Sequence, residues 1–263
     1  GVPSTYALLM HRSKFKQMDF PTLRYATIAG GGLPAPAQAE LKKVIPGARL
    51  YNMYGQTEAS ARLSHLEPER FDDKLGSIGK GIPGVELRVV DSERTPVDPG
   101  VTGEIIAQGP NIMQGYWNSP DSTAGVLRDG WLWTGDLATV DEDGYIFIVS
   151  RKKDIIKSGA YRIGPNAIES VLIEHDALAE VAVVGAPDML LGEAIVAYII
   201  PKPEAHVTER DLLSHCHGKL PAYKIPKRFE FRETLPKTTS GKVQKHVLRD
   251  QEIEAAKERG EDV

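Results

Sequence analysis

The sequence predicts an α/β segment, then a β-rich segment, then a small α+β unit. Residues 23–53 change from strand-like to helix-like composition and back, which is typical of a β-α-β arrangement. Residues 76–149 contain short β-branched runs that are separated by Gly, Pro and Asp turn signals. Residues 154–263 combine amphipathic helical patterns with apolar strand patterns. We therefore assign the fold class as α/β plus α+β, with a β-rich part between the two.

The first segment is predicted to contain a strand, a helix and a second strand, at residues 23–29, 36–44 and 48–53. Two strands that are separated by one helix are expected to run parallel. Ligands favour the loops at the carboxyl ends of such strands. Two glycine-containing motifs, residues 30–32 and 54–58, follow these strands, so we expect a binding site there.

The β-rich segment is predicted to contain strands at residues 85–90, 103–107 and 144–149, and a strand-turn-strand at residues 137–148 directly after Asp136. The last unit is predicted to contain helices and strands at residues 165–174, 181–184, 194–200, 209–220 and 228–231. Thr208 is placed to cap the second of these helices. The charged tail after residue 249 is predicted to be a frayed helix.

Composition argues against several classes of function. The formal net charge of -4 and the pI near 6.0 argue against nucleic-acid binding. The longest apolar run, residues 194–200, is much shorter than the ~20 residues that span a bilayer, so no stable membrane insertion is expected. The lone Cys216 allows no internal disulfide, which fits a reducing compartment and predicts a cytoplasmic location.

Residues 54–58, Tyr-Gly-Gln-Thr-Glu, carry the most specific chemistry of the first half. An aromatic face can stack on adenine, and a small residue beside it leaves room for a carboxylate substrate. A hydroxyl can donate to a phosphate, and a carboxylate can hold Mg²⁺. The alternative is purely structural: a strand end and a helix start, with Thr57 as the cap and Glu58 favouring the helix dipole.

Four further motifs have a similar choice between a structural and a functional role. They are the glycines at 30–32, Trp-Thr-Gly-Asp at 133–136, Arg-Lys-Lys-Asp at 151–154 and the lysine-ending loop at 236–242. Each alone is also typical of a turn, a linker or a basic loop. The pattern G-x-G-x-x-G at 79–84 is not interpreted as a dinucleotide site, because Pro83 lies inside it and a β-rich region follows.

Taken in this order, the motifs resemble those of the adenylate-forming enzymes. This superfamily comprises acyl-CoA synthetases, amino-acid-activating adenylation domains and beetle luciferases. The Tyr-Arg-Ile-Gly-Pro run at 161–165 is most similar to short- and medium-chain acyl-CoA synthetases. The family's phosphate-binding loop would precede residue 1, so the resemblance covers only the later part of such an enzyme. It implies that the chain alone is inactive.

The resemblance also implies a domain organisation. Residues 1–152 correspond to the C-terminal part of a large nucleotide- and acyl-binding domain, in which residues 76–149 are the β-rich subdomain. Residues 153–263 correspond to a small mobile domain, and Lys153 is the pivot of the hinge between them.

Roles for individual residues are implied in the same way. The catalytic residues are Lys242, Thr57 and Glu58, of which Glu58 is the Mg²⁺ ligand. The residues that bind ATP, AMP or coenzyme A are Gly31, Gly32, Tyr54, Gly55, Asp136, Arg151 and Gly159. Two positions depart from the family pattern: Ala160 replaces a second glycine beside the pantetheine channel, and Lys245 stands where relatives often have Arg.

The implied reaction is ATP-dependent activation of a carboxylic acid to an acyl-adenylate, followed by thioester formation with coenzyme A. One alternative is an amino-acid-activating domain that loads a carrier protein. A second alternative, of a different class, is a nucleotide-binding remnant without turnover. The expected partners are a small carboxylic acid, ATP and coenzyme A, and the prediction admits a homodimer.

Overall fold

The computed structural model describes residues 1–239 and 241–260, so that Ser240 of the 236–242 motif lies outside the described residues. The chain divides into two compact units. The first comprises Gly1–Tyr6 and Phe15–Lys152, and the second comprises Ala7–Lys14 and the chain from Lys153 onward. The predicted mixture of α/β and α+β structure is confirmed.

Helix α1 (Pro3–Arg12) starts in the residues of the first unit and ends in those of the second. The first unit contains a four-stranded sheet with helix α2 (Ala35–Val44) between its first two strands. Strands β1 to β4 lie side by side in chain order and span Tyr25–Ile28, Arg49–Tyr54, Ser64–Leu66 and Lys80–Gly81. The pair β1 and β2 is parallel, as predicted, and the other two pairs are antiparallel. The carboxyl end of β2 therefore leads directly into residues 54–58.

A second sheet of the first unit is antiparallel and has the order β5-β6-β8-β7, with β9 paired to β8. Its strands span Glu86–Val90, Gly103–Gln108, Leu127–Arg128, Trp131–Val140 and Ile146–Arg151, and helix α3 spans Pro120–Val126. Strands β5, β6 and β9 were predicted from the sequence, and the predicted strand-turn-strand at residues 137–148 covers the end of β8, whose start at Trp131 was missed. The prediction placed Asp136 just before a strand, but the structure places it inside β8.

The second unit contains one five-stranded sheet with the order β11-β10-β13-β12, and β14 pairs in parallel with β13. Strands β10 to β14 span Ile156–Ser158, Tyr161–Ile163, Leu178–Asp188, Gly192–Pro201 and Arg228–Phe231. Helices α4, α5 and α6 span Pro165–Leu172, Glu209–Cys216 and Lys245–Glu258. Short 3-10 helices of the two units lie at Phe15–Gln17, Thr57–Ala59, Pro68–Arg70, Lys152–Asp154 and Ala222–Lys224.

Strand β13 is buried on both faces, which explains why its sequence is apolar without alternation. Ile195, Ala197 and Ile199 pack into one core with α4 and α5. Val196 and Tyr198 belong to a second core, on the face that α6 covers. The sheet thus lies between two helical layers, which gives the second unit a hydrophobic core of its own.

Two helices of this unit differ in their ends from the prediction. Helix α5 is capped by Thr208 as predicted, and the structure adds a capping box with Asp211. The helix ends at Cys216 instead of continuing to residue 220. Helix α6 continues well past residue 249 because Glu252 is buried, accepts a hydrogen bond from the hydroxyl of Tyr198 and pairs with Arg228. The charge-rich composition of residues 245–258 concealed the buried side of this helix, which is formed by Leu248, Glu252 and Ala256. Within the described ranges, no helix combines the length and the apolar character that crossing a bilayer requires.

The division after Lys152 generates a prediction about proteolysis. Lys152 and Lys153 are exposed at the junction, whereas the sheet of the second unit is covered by helices. Limited trypsin digestion should therefore cut first after one of these two lysines and leave a resistant fragment that starts near residue 153. Mass spectrometry of the early fragments checks this outcome.

The matched control for the digestion is the double variant Lys152→Gln with Lys153→Gln, which should lose the early cut and keep the remaining pattern. Rapid cleavage throughout residues 154–260, while the junction stays intact, would contradict the expectation that this unit folds separately.

Candidate functional site

The carboxylate of Asp136 is held by two strands besides its own. The hydroxyl of Tyr54, at the end of β2, donates to Oδ2 at 2.7 Å. The Nε of Arg151, at the end of β9, lies 2.9 Å from Oδ1. Asp136 is only 3% exposed, so its charge is compensated almost entirely within the protein. Three residues that the sequence predicted as binding residues are therefore in direct contact.

The register of the second sheet brings Asp136 and Arg151 together. The two residues are direct cross-strand partners in β8 and β9, which places opposite charges side by side on one face. Gly135 has a φ of +72°, and this left-handed residue bends β8 just before Asp136. The hydroxyl of Thr134 accepts from the backbone N–H of Asp136 at 3.1 Å and donates to the carbonyl of Ile105 at 2.8 Å.

The ring of Tyr54 packs against two apolar clusters of the first unit, one around Ile105 and Ile146 and one around Leu63 and Leu132. Burial and the negative charge of Asp136 raise the pKa of Tyr54 well above its ordinary value. The hydroxyl therefore stays protonated, and it remains a hydrogen-bond donor at neutral and moderately alkaline pH.

A second buried carboxylate lies close to this group and was missed in the sequence analysis. Glu104 on β6 is 8% exposed, accepts from the backbone N–H of Gly135 at 3.1 Å and pairs with Lys152 at 2.9 Å. It fixes the bend before Asp136 and ties Lys152 to the first unit. A charged residue inside the apolar run of β6 was the signal that could have revealed it.

Thr57 and Glu58 lie on the short 3-10 helix that follows Tyr54. The hydroxyl of Thr57 is exposed and makes no hydrogen bond to any described residue, and the cap position belongs to Gln56 without a side-chain bond. The capping role considered for Thr57 is therefore absent. Gly55 is required for packing, because a Cβ there would lie 2.3 Å from the carbonyl oxygen of Ala61. The predicted role of Gly55 beside a substrate stays a prediction.

The two carboxylate oxygens of Glu58 differ in their hydrogen bonding. Its Oε1 accepts a hydrogen bond of 2.6 Å from the hydroxyl of Tyr116, whereas its Oε2 has no protein donor within the described part of the chain. The bond to Glu58 raises the pKa of Tyr116 to about 12, so the phenol remains the donor at neutral pH. Tyr116 lies in a loop without periodic pattern, and the sequence analysis did not identify it.

The remaining predicted residues lie apart from this group in the chain. Gly31 and Gly32 are exposed and follow β1, the parallel neighbour of β2. Gly159 and Lys242 belong to the second unit, Gly159 in the two-residue turn between β10 and β11. The backbone N–H of Lys242 donates to the hydroxyl of Thr238 at 3.1 Å. The roles assigned to these four residues stay predictions.

Comparison with known proteins gives the family. A family model described as AMP-binding enzyme matches residues 1–117, and a model described as AMP-binding enzyme C-terminal domain matches residues 167–242. The chain belongs to the AMP-binding enzymes. The resemblance to the adenylate-forming superfamily is thus confirmed, since this family's relatives match across nearly the whole chain.

Three similar proteins illustrate the range within this family. The long-chain-fatty-acid–CoA ligase of Salmonella typhimurium is 40% identical over 252 residues, which cover 95% of this chain and 44% of that ligase. The crystal structure of the anthranilate CoA ligase AuaEII in complex with anthranoyl-AMP matches with a TM-score of 0.90 and 34% identity, over 97% of this chain and 50% of that one. The amide bond synthetase McbA from Marinactinospora thermotolerans matches with a TM-score of 0.87 and 32% identity, over 95% and 52%. The chain thus spans about half the length of these relatives.

The donor set of this AMP-binding chain fits Mg²⁺ that is shared with a nucleotide. Among the described residues there is no cluster of three or more His, Cys, Asp or Glu side chains that could hold a metal alone. Mg²⁺ is usually held by one or two carboxylates together with water and substrate phosphates. Glu58, with one oxygen engaged by Tyr116 and the other without a donor among the described residues, has the chemistry of one such ligand.

The contact between Tyr54 and Asp136 generates a stability prediction for this AMP-binding enzyme. Tyr54→Phe keeps the packed ring but removes the only atom that donates to Oδ2 from β2. A hydrogen bond to a charged group contributes about 1.5–3 kcal/mol, so the first unit should lose free energy of unfolding in that range. Urea unfolding followed by tryptophan fluorescence checks it, since Trp117, Trp131 and Trp133 all belong to the first unit.

The matched control for this variant is Tyr25→Phe. Tyr25 is 56% exposed, so the loss of its hydroxyl should change the unfolding free energy by less than about 0.5 kcal/mol. Equal stability of the two variants would mean that the Tyr54 hydroxyl contributes nothing to holding Asp136.

Proposed function

We propose that this chain supplies the nucleotide site and the mobile unit of an ATP-dependent acyl-CoA ligase. One observation carries the proposal: the buried carboxylate of Asp136 is oriented by Tyr54 and Arg151, and Tyr54 is followed three residues later by the exposed Thr57. A nucleotide offers a base, a vicinal diol and phosphates, which the ring of Tyr54, the carboxylate of Asp136 and the hydroxyl of Thr57 complement in turn. The names of the relatives, which include long-chain-fatty-acid–CoA ligase and anthranilate CoA ligase, support the ligase assignment.

The proposed reaction has two steps. A carboxylate oxygen of the acid attacks the α-phosphorus of ATP, the bond to the β-phosphate breaks, and pyrophosphate leaves. The sulfur of coenzyme A then attacks the acyl carbon, the bond between this carbon and AMP breaks, and the thiol proton is released. Mg²⁺, when bound with the nucleotide, would neutralise phosphate charge. Catalysis in such transfers comes mainly from positioning and from electrostatic stabilisation.

The residues of the first unit are proposed to bind the nucleotide. A carboxylate oxygen can accept more than one hydrogen bond, so the contacts of Asp136 with Tyr54 and Arg151 are compatible with two ribose hydroxyls. The ring of Tyr54 would flank adenine, with Gly31 and Gly32 leaving the backbone accessible nearby. Thr57 would donate its hydroxyl to the α-phosphate.

A hinge at Lys153 is supported by the contacts on either side of it. Lys152 pairs with Glu104 of the first unit at 2.9 Å, and Asp154 contacts Arg249 of the second unit at 3.4 Å. The exposed side chain of Lys153 has no hydrogen bond or ion pair to a described residue. Lys153 thus lies between Lys152, which is bonded to the first unit, and Asp154, which is bonded to the second. This arrangement suits a pivot.

The acyl acceptor is the less constrained part of the proposal. Gly159 and Ala160 form the turn between β10 and β11, and the exposed Ala160 adds a methyl group where the family often has glycine. Coenzyme A is the acceptor we propose, and an amine is a second candidate because the amide bond synthetase McbA matches 95% of this chain. An adenylation domain that loads a carrier protein and a remnant without turnover stay alternatives. The acid is left open, since the similarity to short- and medium-chain enzymes and the long-chain name of the Salmonella relative point to different lengths.

A cytoplasmic location and a homodimer are two further proposals. A cytoplasmic location agrees with the single, buried Cys216, which has no partner for an intrachain disulfide. A homodimer would need a self-complementary face.

The two half-reactions should respond oppositely to two variants of the complete protein that contains this chain. Lys242→Ala should slow adenylation by about 10²–10³-fold, because one positive group is removed from the breaking phosphate bond. It should almost spare thioester formation from supplied acyl-adenylate. Lys153→Pro fixes φ at the pivot and should spare adenylation while it slows transfer to the thiol. Pyrophosphate exchange and single-turnover thioester formation measure the two steps.

The control for both variants is Lys157→Ala, which removes an exposed lysine near the hinge and should leave both half-reactions within about twofold. If Lys242→Ala reduced thioester formation as severely as adenylation, the assignment of Lys242 to the first step would be wrong. Equal loss of both steps in Lys153→Pro would remove the hinge from the proposal.

The chain of 263 residues alone is expected to form no acyl-CoA. It carries Thr57, Glu58, Asp136 and Lys242 but no Ser/Thr/Gly-rich run that ends in Pro-Lys ahead of them, and each missing charge-stabilising donor costs about 2.7–4 kcal/mol in comparable sites. Pyrophosphate release that depends on a fatty acid, measured with this purified polypeptide, would contradict the expectation. Restored release on adding the other half of a relative would support it.

A further inference from the structure

We propose that Tyr116 is a positioning residue that orients the carboxylate of Glu58 for a nucleotide-bound divalent cation. The inference rests on the proposed function and extends it to a residue outside the motifs that carry the resemblance. It starts from the hydrogen bond of 2.6 Å between the phenol hydroxyl and Oε1 of Glu58. Because Oε1 already accepts this hydrogen bond, Oε2 is the oxygen that would face the cation.

The bond from Tyr116 is one of several that join the same two segments. We call residues 111–116 the brace, since they run along the turn at 57–62. The backbone N–H of Met113 donates to the carbonyl of Glu58 at 2.8 Å. The hydroxyl of Ser60 donates to the carbonyl of Asn111 at 2.9 Å. The brace thus holds both the backbone and the side chain of Glu58.

The start of the brace is fixed to the other end of the turn. The side-chain amide of Asn111 donates to the carbonyl of Arg62 at 2.7 Å and to that of Ala59 at 3.1 Å. The carbonyl of Ala59 also accepts from the backbone N–H of Arg62 at 3.3 Å, so Asn111 is bonded to two carbonyls that the turn itself links. The turn that presents Thr57 and Glu58 is therefore held by its neighbour segment and not by its own hydrogen bonds alone.

Tyr116 is itself anchored on the side away from Glu58. Its backbone N–H donates to the hydroxyl of Thr123 at 2.9 Å, and this hydroxyl donates to the carbonyl of Ser119 at 2.9 Å. Thr123 lies in helix α3, so the phenol extends from a segment that is tied to a helix. Folding has thus already ordered the segment that carries the hydroxyl, so most of the conformational entropy is lost before the cation binds.

The chemistry favours a role toward the cation. Mg²⁺ requires near-octahedral geometry, and a freely rotating glutamate can instead offer either oxygen or both. A donor on Oε1 limits Glu58 to one oxygen in one orientation. Residues that hydrogen-bond a metal ligand typically change metal affinity by about 10–100-fold when they are removed. The brace, which lies in a loop, would then act through Glu58 and not through direct contact with the nucleotide.

The test uses the complete protein that contains this chain, saturating ATP and Mn²⁺ as the probe. Electron paramagnetic resonance gives the dissociation constant of Mn²⁺ from the protein–ATP complex, a readout that does not require turnover. Tyr116→Phe should weaken Mn²⁺ binding by about 10-fold or more. The matched control is Tyr51→Phe on β2, whose hydroxyl makes no bond to a described residue and which should bind Mn²⁺ as the unchanged protein does.

A double-variant cycle separates a positioning role from general loss of structure. Glu58→Gln should weaken Mn²⁺ binding, and adding Tyr116→Phe to it should cause little further loss, because Tyr116 acts through Glu58. Additive losses would overturn the inference, as would unchanged Mn²⁺ affinity in Tyr116→Phe while Glu58→Gln weakens binding. The proposed function would survive both of those results. Unchanged affinity in Glu58→Gln would instead remove the metal role of Glu58 and the inference together.

Discussion

The need to pair the buried charge of Asp136 is the constraint on which the first unit depends. A carboxylate that is 3% exposed is stable only when protein groups replace its water. The hydroxyl of Tyr54 and the guanidinium of Arg151 do so from two other strands. Because β2 belongs to one sheet and β8 and β9 to another, this charge is one of the contacts that join the two sheets. Removing either partner would leave the buried charge less well compensated.

Two carboxylates of the first unit are used in different ways. Both oxygens of Asp136 have recorded protein partners, so this residue is part of the framework as well as a candidate ligand of the ribose. Glu58 has a partner on one oxygen, and its second oxygen has no donor in the part of the chain that the structure describes. The difference follows from position: Asp136 is inside a strand between sheets, whereas Glu58 is on a one-turn helix at a strand end. Such turns can present a side chain while their backbone is held by neighbours.

In the second unit, the buried core and the candidate functional residues are separate. Its central strand β13 is buried on both faces, and the capped α5 and the unexpectedly long α6 cover the sheet. Gly159 and Lys242, the two candidate functional residues of this unit, lie outside its helices and strands and are exposed at its surface. A packed scaffold can carry different functional groups on separate loops. This suits a unit that is proposed to take part in two successive reactions.

The sequence alone was sufficient for features that depend on local chemistry. The β-α-β start, the strands with β-branched runs, the Thr208 cap and the family were predictable because propensity, turn residues and ordered motifs act over a few neighbouring positions. The first part of strand β8, the second site carboxylate Glu104, the continuation of α6 and the contact of Tyr116 with Glu58 were decided only by tertiary structure. Each depends on a partner that is far away in the chain: Arg151 beside Asp136, Lys152 beside Glu104, Tyr198 above Glu252, and a loop that lies 58 residues beyond the glutamate it holds. Local patterns carry no information about such partners, because their energy exists only after the chain has brought them together.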